Sequence, residues 1–299
     1  MTDFTNEYKS CRLCSRLCGV DRTAGKLGYC NSSDKLRVAR ASLHKWEEPI
    51  ISGVQGSGTV FFSGCSLGCI YCQNREISSG LVGKEISEER LSEIMLELKK
   101  QGAHNVNLVT PTHYAPSIIK SVSLARTKGL DIPIVYNTSS YDSPQTIELL
   151  SDTVDIYLAD MKYYLEKSAS ELSSAKNYPK AAKSAVAKLV EQNGSAVIEN
   201  GLMKRGVIVR VLLLPGHLAE AKLIVSHLLS EYGDSIYISL MSQYTPIGNL
   251  SGSLNRRVTR KEYGELCDYA VKKGLKNGFF QEGESASESF IPDFNLFGV

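Results

Sequence analysis

The chain has 299 residues, of which 42% are hydrophobic and 22% are charged, and its formal net charge is +2. This length can bury a large core, and this composition is typical of a globular protein. The near-neutral charge gives no support to nucleic acid as a partner. No apolar run approaches the roughly 20 residues of a membrane span, so we expect no membrane partner.

Seven of the eight cysteines lie in two tight clusters. The first residues lack the basic-then-apolar pattern of a secretory signal, so a disulfide framework is not expected. Clustered cysteines in a chain of this size favour metal ligation in a reducing compartment. We therefore expect a cytoplasmic protein with metal sites.

The first cluster has four thiols with the spacing C-x2-C-x3-C-x11-C, at Cys11, Cys14, Cys18 and Cys30. Four ligands make a closed site, which can fold a short segment that has little apolar core of its own. The C-x2-C pair favours zinc, and an auxiliary iron–sulfur cluster is the alternative. We expect residues 1–57 to form this metal module and a connector, and residues 58–299 to form the main domain.

The connector carries a histidine and a tryptophan, His44 and Trp46. A single His–aromatic pair is usually explained by packing, so neither residue is assigned to a site.

The second cluster follows an apolar run, Thr59–Phe62, and has the spacing C-x3-C-x2-C at Cys65, Cys69 and Cys72. Three thiolates can hold three corners of a cubane iron–sulfur cluster, which usually takes four cysteines. Because no fourth cysteine is near, one iron would keep an open coordination position for chemistry. Glycines at 64 and 68 fit a loop that wraps closely around such a cluster.

From residue 58 onward, short apolar runs alternate with helical patterns. The predicted strands are Thr59–Phe62, Asn105–Val109, Ile132–Tyr136, Val154–Leu158, Val207–Leu214 and Ile236–Leu240, with a possible edge strand at Asn277–Gln281. The predicted helices are 85–101, 115–128, a short one from Ser143, 179–192, 218–232 and one from a capping box at Thr259 to 273. This alternation predicts an α/β fold with parallel strands, either an open doubly wound sheet or a partial barrel.

Polar residues follow almost every predicted strand. They are Thr110, Thr112 and His113 after the second strand, Asn137 after the third, Asp160 and Lys162 after the fourth, Arg210 on the fifth and Gln243 after the sixth. Ligands bind at the carboxyl ends of parallel strands in both architectures. These residues therefore predict a polar-lined mouth, although His113 fits a structural role equally well.

The cysteine loop, with the aromatic Tyr71 directly before Cys72, resembles the motif of the radical S-adenosylmethionine (SAM) superfamily. The most similar branch that we identify is that of pyruvate formate-lyase-activating-enzyme-like iron–sulfur proteins. The resemblance implies a partial (β/α)6 barrel and a [4Fe–4S] cluster on Cys65, Cys69 and Cys72. It also implies that SAM chelates the fourth iron and that Tyr71 lies by the adenine.

The resemblance also implies SAM contacts at Asp160, Lys162 and Arg210, and Arg210 can form a fork with the SAM carboxylate. The Gly-Gly-Glu common in the family is replaced here by Thr110-Pro111-Thr112, so we expect oxygen atoms of these residues to contact the SAM amino group. Further predicted contacts are Asn74, Asn137 and Gln243.

The implied activity is reductive cleavage of SAM to a 5′-deoxyadenosyl radical that abstracts hydrogen from a substrate. The implied partners are an electron donor of the flavodoxin or ferredoxin type and a protein or peptide substrate; a small-molecule substrate stays open. The alternative function is a non-catalytic binding protein scaffolded by zinc. A metal-dependent hydrolase lacks the paired histidines that it would need.

Overall fold

The computed structural model describes residues 4, 6–248, 250–281 and 292–299. Over these ranges the chain forms ten β-strands in one extended sheet. The strands are β1 (Leu36–His44), β2 (Ser57–Phe62), β3 (Lys84–Ile86), β4 (Val106–Val109), β5 (Ile134–Thr138), β6 (Ile156–Asp160), β7 (Val197–Glu199), β8 (Leu202–Leu212), β9 (Tyr237–Met241) and β10 (Gly278–Phe280).

The sheet is mostly parallel. Its order is β10-β9-β8-β6-β5-β4-β2-β1-β3, and β7 pairs with β8 as an antiparallel hairpin. Every pair of neighbouring strands on the path from β2 to β10 is parallel. The strand β1 is antiparallel to both β2 and β3. All six predicted strands and the predicted edge strand are confirmed, with shifts of a few residues at their ends.

The helices over the described ranges alternate with the parallel strands, as predicted. They are α1 (Asn6–Lys9), α2 (Pro49–Ser52), α3 (Arg75–Ser78), α4 (Glu88–Lys100), α5 (Ala115–Thr127), α6 (Pro144–Leu149), α7 (Glu166–Ser173), α8 (Tyr178–Asn193), α9 (Leu218–Tyr232) and α10 (Arg260–Lys272). The capping box at Thr259 is confirmed, because its side chain accepts from the Glu262 amide while the Glu262 side chain accepts from the Thr259 amide.

Several stretches differ from the sequence-based expectation. The helix predicted from residue 85 begins at Glu88, because the residues before it form β3 and the Ser87 side chain caps the helix. No strand was predicted in the connector, but it contains the nine-residue strand β1, which pairs along the whole of β2. The helix α7 was also not predicted.

The parallel strands are buried on both faces, which explains their continuous apolar runs. On one face, α4, α5, α8 and α9 pack against the sheet around residues such as Val60, Leu108 and Val209. On the other face, Ile51 of α2 packs against Val135 and other strand residues and fills the end of the sheet opposite the strand carboxyl ends.

The sheet does not close into a barrel. Within the described residues its two ends are β3 and β10, and no pairing joins them. The architecture is therefore an α/β fold with a curved, mostly parallel and open sheet.

The last residues return to the first strand of the sheet. The Ala41 amide donates to the Phe297 carbonyl at 2.9 Å, and the Leu296 amide donates to the Ala39 carbonyl at 3.0 Å. Phe294 packs its ring on that of Phe61 of β2, with centroids 5.5 Å apart. This segment therefore covers the free side of β1.

Candidate functional site

A cavity of about 270 Å³ lies at the carboxyl ends of the parallel strands. Cys65, Cys69 and Cys72 all line it, in the loop that follows β2. Gly64 and Gly68 of this loop have positive φ values of 89° and 67°, so the predicted need for glycine is confirmed. Burial and the neighbouring thiols of Cys72 and Cys69 raise the pKa of Cys65 to about 12.

The structure brings most of the predicted site residues to this one cavity. Besides the three cysteines, the lining includes Tyr71, Asn74, Thr110, Asn137, Asp160, Lys162, Arg210 and Gln243. They come from six different segments of the chain and meet because the parallel strands end at one edge of the sheet.

Thr112 is the exception. Its side chain is buried and hydrogen bonds to the Asp142 carboxyl group, not to the cavity. The short 3-10 helix Thr112–Tyr114 turns it away from the strand end, while Thr110 stays at the lining with a φ of 57°.

The cavity wall also contains a cluster of partly buried charged groups. Arg210 donates from Nε to Asp160 Oδ1 at 2.7 Å, from Nη2 to Asn137 Oδ1 at 2.5 Å and from Nη1 to Glu47 Oε2 at 3.2 Å. Lys162 Nζ donates to Asp160 Oδ2 at 2.8 Å. Arg210 is therefore held by the protein's own oxygens, and its fork is not free for a ligand carboxylate in this structure.

The charges in this wall control one another's protonation. Burial works against ionisation of Asp160, but Arg210 and Lys162 outweigh it and hold the Asp160 pKa below its usual value. Burial also opposes the charge on Lys162, yet Asp160 and Cys69 raise its pKa. Asp160 and Lys162 are thus a stable ion pair, and the ammonium group is close enough to Cys69 to affect a thiolate there.

Among the lining residues that sequence reasoning missed are His44, Trp46 and Glu47. Burial raises the pKa of Glu47 above its usual value, and the nearby Arg210 offsets this shift only in part. All three lie directly after or at the end of β1, which brings the connector to the strand ends. The available signal was the mixture of apolar residues with Arg37 and Arg40 between Leu36 and Ala41.

A set of buried hydroxyl groups lies beneath the cysteine loop. The Tyr71 hydroxyl is hydrogen bonded to that of Tyr163 at 2.9 Å, and Tyr163 lies 2.6 Å from Ser173 Oγ. Ser173 Oγ in turn donates to Cys69 Sγ at 3.0 Å. The Tyr71 ring also contacts the Tyr244 ring, with centroids 6.1 Å apart. This side of the cavity is therefore aromatic and closed to water.

His113 lies outside the cavity lining. It is buried, its Nε2 is 2.8 Å from the Ser63 carbonyl oxygen, and its Nδ1 has no partner among the described residues. Burial and the nearby Arg22 lower its pKa to about 3, so the ring is neutral near pH 7. These contacts favour the structural role for this histidine.

The four N-terminal cysteines lie in one compact, loop-rich segment. Cys11, Cys14 and Cys30 are buried, and Cys18 is exposed. The Cys18 and Cys30 sulfurs both lie against Gly28, at 3.2 and 3.5 Å from the point where a Cβ would be. The segment therefore gathers its thiols around this glycine.

No three His, Cys, Asp or Glu side chains within the described ranges are grouped so that they could hold a single metal ion. The side-chain positions therefore do not show the predicted N-terminal metal site. A cubane cluster does not require its cysteines to meet at a single metal ion, because each cysteine binds its own iron. Three cysteines around one cavity, with no fourth cysteine in its lining, fit such a cluster with one iron left accessible.

No helix in the described part of the chain is both long and apolar enough to cross a membrane.

The sequence model of the Radical SAM superfamily matches residues 59–221 of this chain, which is more than half of it. An uncharacterized protein of Methanocaldococcus jannaschii is 28% identical over 281 residues, covering 90% of this chain and 77% of that protein.

Two solved structures share the fold. HydG, a maturase of the [FeFe]-hydrogenase, superposes with a TM-score of 0.53 at 14% identity, covering 76% of this chain and 52% of HydG. Streptococcus suis SuiB bound to S-adenosylmethionine gives a TM-score of 0.50 at 13% identity, covering 76% of this chain and 48% of SuiB. The chain thus spans about half the length of these structures, and the likeness is one of fold.

Proposed function

The chain belongs to the radical SAM superfamily, and on that premise we propose that it abstracts a hydrogen atom from its substrate with the help of a [4Fe–4S] cluster and SAM. When bound, the cluster supplies the one electron that cleaves SAM to methionine and a 5′-deoxyadenosyl radical. The observation that supports this most directly is the cavity at which Cys65, Cys69 and Cys72 meet the polar strand ends.

In this proposal the chain's own residues bind, orient and shield. Cys65, Cys69 and Cys72 would each hold one iron. Thr110 and Gln243 offer oxygen atoms and an amide on the cavity lining for the polar groups of SAM. The buried aromatic side beneath the loop keeps water from the reacting atoms, which protects a radical from side reactions.

Asp160 and Lys162 form the charged part of the proposed SAM site. Since Arg210 is already engaged by Asp160, Asn137 and Glu47, we propose that it fixes the position of Asp160 and does not grip the SAM carboxylate. Lys162 is then a cation that interacts electrostatically with the proposed cluster ligand Cys69.

The test is product analysis. Anaerobically reconstituted protein is incubated with SAM and dithionite, and 5′-deoxyadenosine is measured. We expect the wild type to form it and Cys65→Ala to form none. Cys267→Ala is the matched control, because this cysteine lies on α10 and outside both clusters. A wild type that holds its full cluster and forms no 5′-deoxyadenosine would contradict the proposal.

We also propose that Cys11, Cys14, Cys18 and Cys30 bind zinc, with an auxiliary iron–sulfur cluster as the alternative. Arg22 supports thiolates here, because it is fully buried and donates to the carbonyls of Ser32, Ser33 and His113 and to the Cys11 sulfur. Carbonyls carry no net charge, so a buried guanidinium favours anionic sulfur beside it. Elemental analysis of a variant without the three loop cysteines would identify the metal.

The substrate and partners are proposed on the resemblance of the motif alone. We propose a glycyl-radical-activase-like role on a protein or peptide, with an electron donor of the flavodoxin or ferredoxin type. The N-terminal module (1–57) and the catalytic domain (58–299) would work in the cytoplasm, where thiols stay reduced. Family membership favours this enzyme over the zinc-scaffolded binding protein, and colourless protein that holds only zinc would reverse that preference.

A further inference from the structure

Ser173, the last residue of α7, contacts both a proposed cluster ligand and the N-terminal segment. It is buried, with 1% of its surface exposed. Its Oγ donates to Cys69 Sγ at 3.0 Å, and its carbonyl oxygen accepts from Arg16 Nη2 at 2.9 Å. One residue therefore links the two cysteine regions.

Arg16 donates its remaining N–H groups to backbone carbonyls of the cysteine loop and of the residue that follows α7. Nε donates to Ser66 at 2.9 Å, Nη2 also donates to Leu67 at 3.0 Å, and Nη1 donates to Ser174 at 2.5 Å. The guanidinium lies 3.6 Å from the centre of the Tyr29 ring. Carbonyls at the end of a helix lack partners within the helix, so an arginine there satisfies them and stabilises the helix end.

The position of the Ser173 hydroxyl is fixed from two further directions. The Ile70 amide of the cysteine loop donates to the Leu172 carbonyl of α7 at 2.9 Å, which ties the loop to the helix end. The Tyr163 hydroxyl lies 2.6 Å from Ser173 Oγ. A buried hydroxyl held in this way keeps its orientation toward the sulfur.

We propose that Ser173 is a positioning residue that raises the reduction potential of a cluster bound by Cys65, Cys69 and Cys72, and that Arg16 holds it in place from the N-terminal segment. The proposal rests on the proposed function, since it requires a cluster at these cysteines. In the electron-transfer step a flavodoxin- or ferredoxin-type donor loses one electron and the cluster charge falls from [4Fe–4S]2+ to [4Fe–4S]+. No proton moves.

The physical reason is electrostatic. Reduction adds negative charge to the cluster and its sulfur ligands, and a hydrogen bond to an anion is stronger than one to a neutral group. A donor on Cys69 therefore stabilises the reduced state more than the oxidised state, and hydrogen bonds to the sulfurs are known to set cluster potentials. Ser173 would thus make SAM cleavage possible with a weaker electron donor.

The experiment is a redox titration of the full chain, reconstituted anaerobically and followed by electron paramagnetic resonance without SAM. The signal to follow is the one that Cys65→Ala removes. We expect Ser173→Ala to lower the midpoint potential, with a change of up to about tenfold in the equilibrium constant, or about 59 mV for one electron. Ser173→Thr keeps the hydroxyl and should keep the midpoint, and Ser170→Ala is the control at an exposed site of the same helix.

Arg16→Gln provides the second variant, for the case that Ser173→Ala does not fold. It should lower the midpoint in the same direction, whereas Arg12→Ala, at an exposed site of the same segment, should not. A folded Ser173→Ala or Arg16→Gln protein with full iron content and the wild-type midpoint overturns this inference. A wild type that takes up no Cys65-dependent cluster overturns the proposed function instead.

Discussion

The two groups of cysteines share a residue type and differ in everything that surrounds them. Cys65, Cys69 and Cys72 line a cavity whose wall also holds ionised side chains. Cys11 and Cys30 are buried under loops beside a single buried arginine. A thiol beside a cavity can share a metal with a ligand, whereas a thiol enclosed by protein can only hold the chain together.

The two regions also differ in the partners of their arginine side chains. Arg210 at the cavity pairs with Asp160 and Glu47, so its charge is already balanced by carboxylates. Arg22 in the N-terminal segment has carbonyl oxygens and a thiol as its partners. Its charge is balanced if the thiols ionise, as they do when they bind a metal. We therefore expect the fold of the N-terminal segment to depend more on its proposed metal than the fold of the cysteine loop does.

Removing one cysteine from each region should give the largest difference between the regions, measured as 5′-deoxyadenosine formation. We expect Cys72→Ala to lower 5′-deoxyadenosine formation by at least about 100-fold, because it removes a proposed cluster ligand and not a residue that only contacts a ligand. Cys18→Ala should lower it by less than about tenfold, since this thiol does not line the cavity. Iron content and product yield, measured on matched preparations, check this. Equal losses from both variants would mean that the regions are not separate in function.

Gly64 is one of the points where the two regions touch. Its φ is 89°, and a Cβ there would lie 2.5 Å from the Cys30 carbonyl oxygen and also against Ser32 Oγ. We expect Gly64→Ala to destabilise the protein by about 3 kcal/mol, from overpacking together with backbone strain.

Gly19→Ala is the matched control for this substitution. Gly19 has a φ of 65° and no atom within 4 Å of its would-be Cβ, so it should cost about 1 kcal/mol from strain alone. Urea unfolding followed by circular dichroism measures both. Similar losses for the two variants would show that the contact between the regions is loose.

His113 lies at the same contact, and its effect on stability depends on pH. Arg22 donates to its carbonyl, and its ring contacts Ser63 beside Gly64. Its pKa is about 3 in the folded chain against 6.5 ordinarily, so below about pH 6.5 the unfolded chain binds a proton that the folded chain does not. The free energy of unfolding should therefore decrease as the pH is lowered from about 6.5 to 3, by up to about 1.4 kcal/mol per pH unit from this group.

His113→Gln should remove this part of the pH dependence, because the amide can still donate to the Ser63 carbonyl and does not titrate. Urea unfolding at pH 7, 6 and 5 compares the two slopes. A variant with the wild-type slope would show that the contact between the regions opens below pH 6.5 and lets the histidine ionise.

Local patterns predicted most of the fold. The apolar runs of β4, β5 and β6 and the capping box at Thr259 depend on neighbours in sequence, so they were found. The strand β1 was missed because its pairing with β2 is a contact across the chain and its polar positions resemble a connector. The rule that ligands bind at strand ends then placed Asn137, Asp160 and Arg210 correctly at one cavity.

What could not be predicted is which hydrogen-bond partners those residues have. Glu47 lies 163 positions before Arg210, and nothing local in either sequence stretch indicates that they meet. Thr112 has the same residue type as a good ligand, but its hydroxyl bonds to Asp142 in the interior. Strand ends predict where a ligand site lies; the partners of each side chain follow from packing between distant segments.

The return of the last residues to β1 has a consequence for biosynthesis. Pro292 lines the cavity, and the residues after it reach β1 through backbone hydrogen bonds at Ala39 and Ala41. Domains fold as the ribosome releases them, from the N-terminus onward. The cysteine loop therefore emerges more than 200 residues before the segment that adds Pro292 to the same cavity. A nascent chain would expose the proposed cluster ligands to solvent until that segment has been made, which is the period in which delivery of iron and sulfide meets the least obstruction.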